Sequence, residues 1–188
     1  MTSEMLCFLV PIIRTTISFI RHIKCGADIY GIIIPQKSGK TSFVSQISSS
    51  KYCLIDLDEN IKVVLTSEEQ DKIDKLNETS RKLHLFPLAK KYVKELRTQH
   101  RDKKLIILSS SLELVEYCGI NKKDIYNFAP SNSLSKHIKC QLSEEHKASF
   151  EHSKLELALK ADSLITYNSF EDLSKEIMTR FKGLQLKF

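Results

Sequence analysis

A chain of 188 residues with 41% hydrophobic residues is the size of one domain and has enough apolar side chains for its own core. Five Gly and four Pro exclude collagen-like and Gly/Pro-rich low-complexity chains, and 28% charged residues beside ordinary aliphatic content argue against intrinsic disorder. The formal charge of +6 permits an anionic partner without requiring one.

Taken in chain order, the apolar run Met5–Ile13 is too short to span a membrane, and Glu4 stands where an export signal would be basic. From Ile12 to Lys24, Ile13, Ile17 and Ile20 share one helical face while Arg14, Ser18 and Arg21 line another. This amphipathic helix, within an extension over residues 1–28, either packs on its own domain or docks to a protein partner or a membrane surface. Cys7, Cys25, Cys53, Cys118 and Cys140 are odd in number and contain no CxxC pair, which fits a reducing, cytoplasmic setting better than a disulfide framework or zinc ribbon. The six histidines show no metal-ligand spacing.

Beyond the extension, strand-like and helix-like segments alternate over residues 29–188. Strands are predicted at Ile29–Ile34, Tyr52–Leu57, Lys104–Leu108, Ile125–Ala129 and Ser163–Tyr167. Helices are predicted over Thr41–Ser48, Glu68–Leu83, Leu88–His100 and Phe170–Phe181, with a long polar helical stretch between the fourth and fifth strands. Apolar strands without alternation, each followed by a helix, indicate a parallel sheet covered on both faces, an α/β fold of three layers.

The sharpest motif lies between the first strand and the first helix, Ile34-Pro35-Gln36-Lys37-Ser38-Gly39-Lys40-Thr41-Ser42. Ser-Gly-Lys-Thr at a strand-to-helix junction is the end of a phosphate-binding P-loop. Gly39 lets successive N–H groups turn toward phosphate oxygens, Lys40 reaches the β- and γ-phosphates, and the Thr41 hydroxyl suits Mg²⁺. Residues Lys37 to Ser42 are therefore the candidate nucleotide contacts. The full motif has a glycine where this chain has Ile34, which makes the loop less permissive.

Farther on, Asp56-Leu57-Asp58-Glu59-Asn60-Ile61 places two carboxylates at the C-terminal end of the second strand, the sheet edge where ligands bind in open parallel sheets. Strand alternation puts Asp56 and Asp58 on one side, and a helix cap is the competing use for either. Together, Ser-Gly-Lys-Thr and Asp-x-Asp-x-x-Ile resemble the shikimate kinase branch of the P-loop small-molecule kinases. Ala161-Asp162, Ile165-Thr166 and Phe170-Glu171-Asp172-Leu173 are similar to that family's last strand and helix. The resemblance implies ATP and Mg²⁺ as cofactors and a small hydroxylated acceptor as substrate. It implies that Lys40 holds phosphates, that Thr41 and Asp56 serve Mg²⁺, and that Asp58 orients or deprotonates the acceptor hydroxyl. Arg81, Ser109 and Ser110 are the further candidates for acceptor binding, with Lys90 or Lys91 as alternatives to Arg81.

The chain departs from that family in two places. Ser109-Ser110-Ser111 replaces a glycine-rich stretch, and no arginine lies between Pro130 and Ala161, where a lid arginine is expected. Lys136, Lys139, Lys147 and Lys154 are the substitutes there, with charge but without the bidentate fork. A second expectation follows, a nucleotide-binding or assembly protein of viral or mobile-element type that keeps the fold with weakened catalysis. Charge adds a third. Lys90, Lys91, Lys94, Arg97, Arg101, Lys103 and Lys104 stand against only Glu95 and Asp102, so the basic excess is local, a solvated helix face or an RNA-binding one.

Overall fold

The computed structural model describes residues 29–187, so the amphipathic segment at 12–24 lies outside the described residues. In chain order the elements begin with β1 (Ile29–Ile33), α1 (Lys40–Gln46), β2 (Ile47–Ser48), β3 (Tyr52–Asp56), α2 (Leu57–Val64), α3 (Ser67–Asp74) and α4 (Glu78–Gln99). They continue with β4 (Lys104–Ser109), α5 (Leu112–Tyr117), β5 (Ile125–Pro130), α6 (Asn132–Cys140), α7 (Glu144–Lys160), β6 (Ile165–Tyr167), α8 (Phe170–Arg180) and β7 (Gln185–Leu186). Five parallel strands form the main sheet in the order β3-β4-β1-β5-β6, and β2 pairs with β7 in a separate antiparallel ribbon.

Alternation along the central strands fills two cores. Ile33, Leu105 and Ile107 point to one face, where Leu57, Ile61, Val93 and Leu157 cover them. Ile32, Ile34, Ile106 and Leu108 point to the other, against Phe43, Leu173, Ile177 and Phe181. Each fully buried Ile or Leu stabilises the fold by roughly 1.5–3 kcal/mol, so this continuous apolar register holds β1 fixed beneath the loop it carries. At the far end of the strands Phe181 takes Tyr30, Tyr52 and Tyr126 edge-on, with centroids 5.2, 5.8 and 5.3 Å away. Gly31 lets β1 pass close to α5, since a Cβ there would lie 2.7 Å from a Val115 methyl.

Several boundaries differ from expectation for local reasons. The first helix ends at Gln46 because Ile47 and Ser48 turn extended to pair with Leu186 and Gln185. The chain breaks at Lys75–Asn77, not between Leu83 and Leu88, because the Asn77 side chain accepts from the Ser80 N–H and starts a helix that runs to Gln99. That helix contains Pro87, which faces solvent, so the Leu83 carbonyl that loses its N–H partner can bond water instead. Residues Leu57–Val64, expected to begin as strand, are helical from Leu57 onward. The buried line of α4 is Ala89, Val93 and Leu96, with Leu88 and Tyr92 half-buried beside it.

Glu113 joins three helices. Its carboxylate accepts from Lys82 on α4 at 2.7 Å and from Lys160 on α7, while Lys82 and Lys160 also hold Glu78 and Glu156 at 2.8 Å each. Lys160, then Lys82, hold the Glu113 carboxyl below its ordinary value of 4.5. A depressed carboxylate stabilises the fold above its unfolded-state pKa, and that contribution is lost as pH falls through the folded one. Wild type should therefore exceed Glu113→Gln in Tm at neutral pH, with the gap closing below about pH 4. Thermal melts of both proteins from pH 7 to 3 check this, and a constant gap refutes it. Among the described residues no helix is long and apolar enough to cross a membrane.

Candidate active site

The loop after β1 is built by backbone constraints. Ile34 is fully buried and extends the β1 ladder, its N–H donating to the Ser109 carbonyl at 3.0 Å. The chain then turns through two left-handed residues, Lys37 at φ 59° and Gly39 at φ 88°. Gly39 caps α1, and its carbonyl accepts from the Phe43 N–H at 2.9 Å. The Phe170 ring lies over it, so that a Cβ at position 39 would come within 2.8 Å of a ring carbon. Ser38 and Lys40 are buried, while Lys37, Thr41 and Ser42 are exposed.

The loop faces both carboxylates. Asp56, the last residue of β3, accepts from the Thr41 hydroxyl at 2.7 Å and from the Glu59 N–H at 3.4 Å, so it serves the loop and caps α2 at once. Burial pushes its carboxyl up, and the Thr41 hydrogen bond pulls it part of the way back. Asp58 pairs with the Lys40 ammonium at 3.2 Å. It also accepts from the Ser109 hydroxyl at 2.7 Å and from the Ser110 N–H at 2.9 Å. The two carboxylates do not share a strand face: Asp58 lies in the first turn of α2, which swings it back over the loop.

Two cavities meet at this point. One, about 630 Å³, lies over the loop and is lined by Lys37, Gly39, Lys40, Thr41, Ser42 and Asp56, among others. The second, about 520 Å³, lies among α2, α3, α4, α5 and α7, walled by Ile61, Leu65, Leu85, Phe86 and Leu114 with Arg81 and Ser110 at its polar parts. Asp58 lines both. The phosphate loop thus follows the central strand of the parallel sheet ordered β3-β4-β1-β5-β6, with a carboxylate pair at the connection from β3 to α2. The fold is P-loop kinase-like.

No family model matches the chain, and no curated protein matches it. Among solved structures the P-loop kinase-like domain is similar to a tunicamycin resistance protein from Deinococcus radiodurans, at 11% identity and TM-score 0.48 over 85% of this chain and 98% of that one. It is also similar to a shikimate kinase from Aquifex aeolicus, at 16% identity and TM-score 0.44 over 82% and 96%. A sugar kinase from Janibacter is similar at 15% identity and TM-score 0.45 over 80% and 92%. These are likenesses of fold, and the chemistry of the site rests on the side chains of this chain.

The remaining candidates divide. Ser110 and Arg81 line the second cavity, whereas Ser109 is fully buried, positioning Asp58 and accepting from the Ser111 N–H at 3.1 Å. Ser111 caps α5. Arg81 donates to the Asp74 carbonyl at 2.9 Å, and its Nε is buried without a partner among the described residues. Of the lid lysines, Lys139 pairs with Glu151, Lys147 with Glu144, and Lys154 bonds Ser135, while Lys136 is exposed. None of these four lines the nucleotide cavity; the lid contributes Leu142, Glu145, His146 and Ser149 instead. Two lid residues one helical turn apart clasp the loop itself, Ser153 accepting from the Gln36 N–H at 3.0 Å and Ser149 donating to the Gln36 side chain. No sequence signal pointed to this clasp, because Gln36 and Ser153 belong to no shared motif. Lys90, held over the Tyr117 ring at 5.0 Å, and the exposed Lys94, Arg97 and Arg101 line neither cavity, so the basic helix face is separate from the site.

Proposed function

We propose that the protein is an ATP- and Mg²⁺-dependent phosphotransferase acting on a small hydroxylated acceptor. The observation that carries this reading is the position of Asp58, whose carboxylate holds Lys40 on the loop side and lines the second cavity on the other. A hydroxyl bound in the second cavity meets, at one carboxylate, both a proton acceptor and the edge of the phosphate site. Lys40 would contact the β- and γ-phosphates, and the N–H groups of Gly39 to Ser42 would face phosphate oxygens. Ser109 and the Ser110 N–H fix the Asp58 rotamer, so the carboxylate needs little reorganisation on binding.

The donor set suits Mg²⁺. Thr41 and Asp56 offer hard oxygens 2.7 Å apart, and burial raises the Asp56 carboxyl by disfavouring its charged form, a cost that a bound cation would offset. Bound with ATP, the ion would supply positive charge against the charge that develops on the transferring phosphoryl group. Thr41 and Asp56 would hold it, and Asp58 is left for the acceptor.

Calorimetric titration with ATP, with and without Mg²⁺, tests the reading. Wild type should bind, and Lys40→Ala should weaken binding at least tenfold by removing the cation of the triphosphate contact. Absent binding, or binding indifferent to Lys40, refutes nucleotide use at this loop. One observation favours a second reading, nucleotide binding with little turnover: no arginine or lysine of residues 131–160 lines the nucleotide cavity. ADP release that stays at the buffer rate over a broad acceptor panel, despite tight ATP binding, selects that reading.

A further inference from the structure

The nucleotide cavity has three walls, and one of them carries no lysine or arginine. Lys37 and Lys40 come from the loop, and Lys62 comes from α2. The third wall is α7 with the turn before it, which contributes Leu142, Glu145, His146 and Ser149. On that wall His146 is the one side chain able to carry positive charge.

Two bonds hold this wall against the loop. Ser153 accepts from the Gln36 N–H at 3.0 Å, and Ser149 donates to the Gln36 side chain. His146 lies three residues before Ser149 on the same face of α7, so the clasp that joins Ser149 to Gln36 also brings the imidazole to the phosphate side of the loop. His146 is half-buried, and its ring has no hydrogen-bond partner among the described residues. Its backbone N–H donates to the Ser143 hydroxyl oxygen at 3.4 Å, in the cap of α7.

The charged groups that share the cavity are mostly engaged or acidic. Lys40 pairs with Asp58 at 3.2 Å and Lys62 with Glu59 at 2.9 Å. Asp56 accepts from Thr41, Asp74 accepts from the Gln70 amide, and the exposed Glu145 precedes His146 on the same turn. Lys37 is exposed and has no ion pair among the described residues, but it approaches from the loop, the side on which Lys40 already lies. Across the cavity the Ser149 hydroxyl is taken up by Gln36, which leaves the imidazole as the free side-chain donor of that wall.

We propose that His146 is a catalytic residue that contacts the terminal phosphate of a bound nucleoside triphosphate, through an N–H when neutral and with a full positive charge when protonated. The proposal rests on the reading of this loop as a nucleotide site and, for its catalytic part, on phosphoryl transfer. In transfer the γ-phosphoryl group would leave the β-phosphate oxygen for the acceptor oxygen, the hydroxyl proton would pass to Asp58, and ADP would depart. His146 keeps its own proton throughout and offsets charge on the γ-oxygens that point away from the loop.

Calorimetric affinities of the full chain for ATP and for ADP, each with Mg²⁺, read the contact without turnover. Wild type should prefer ATP, and His146→Gln should narrow the ATP-to-ADP affinity ratio at least threefold while ADP affinity is kept. From pH 8 to pH 6 the wild-type ratio should rise relative to that of His146→Gln, because imidazoles gain charge over this range and the nucleotide's own titration is common to both proteins. Lys37→Ala and His152→Gln should keep that rise, and His146→Arg should hold the ratio high at both pH values. Where an acceptor supports ADP release, kcat should fall at least tenfold in His146→Gln and return in His146→Arg. Equal losses of ATP and ADP affinity, an unchanged ratio, an unchanged kcat, or a His146→Gln ratio that follows the wild-type pH profile overturns the inference. Absent ATP binding overturns it together with the nucleotide reading, whereas the expected ratios without ADP release on any acceptor strike the phosphotransferase reading alone.

Discussion

Asp58→Asn should lower turnover by roughly 10²–10⁴-fold while leaving ATP affinity equal or improved. Asparagine is nearly isosteric and keeps one acceptor oxygen for the Ser110 N–H, while its amide can donate to the Ser109 hydroxyl oxygen, so the local structure should persist. It cannot take a proton from an acceptor hydroxyl. It also releases Lys40, whose ammonium now lies 3.2 Å from the carboxylate, and removes a negative charge from beside the triphosphate. A role confined to holding Lys40 would predict the opposite, with ATP affinity changing and turnover at saturating ATP preserved. Steady-state kcat and KM for ATP, beside calorimetric ATP affinity, separate the two.

Gly39→Ala should abolish nucleotide binding outright. The residue sits at φ 88°, where an L side chain is strained by about 1–2 kcal/mol, and the added methyl meets the Phe170 ring at 2.8 Å. The strain can relax only by rotating the peptide that starts α1 or by displacing Phe170, and either change re-aims the N–H groups between Ser38 and Thr41. Because the ring is half-exposed and the loop lies at the edge of the core, global stability should fall by no more than about 2 kcal/mol. Binding and folding are therefore separable: titration should show no ATP heat in a protein whose Tm has dropped only a few degrees. Retained affinity would mean that phosphate does not occupy this loop.

The strand sequence was the most legible part of the fold. Ile32 to Ile34 and Leu105 to Leu108 are buried on both faces, and continuous apolar runs have few other places to go in a chain of this size. Helix limits were harder because they depend on single caps. Asn77 accepts from Ser80 and starts α4, and nothing in the apolar spacing separates it from a residue in mid-helix. Pro87 reads as a stop, yet the buried line of Ala89, Val93 and Leu96 continues the helix across it.

In the site, Lys40, Thr41, Asp56 and Asp58 were each legible from short motifs, but the geometry joining them was not. Strand alternation brought the two carboxylates together on paper; in the fold, a helix starting at Leu57 does so by a different rotation. The acceptor cavity was the least legible. Its walls come from α2, α3, α4, α5 and α7, and the pairing of Lys82 with Glu113 across 31 residues leaves no local pattern. Charge counted along the chain shows a basic excess, whereas charge counted around this cavity does not.

The strand order has one more consequence, for how the protein is made. β1 is the first described strand to leave the ribosome, yet its partners in the sheet are β4 and β5, which follow only once α4 has been synthesised. Until then the Ile32–Ile34 run has both edges bare, and the phosphate loop has no fixed strand beneath it. The nucleotide site, near the start of the described chain, is thus assembled among its last features, and the nascent half-chain carries an apolar strand that must be kept from pairing with its neighbours on a polysome.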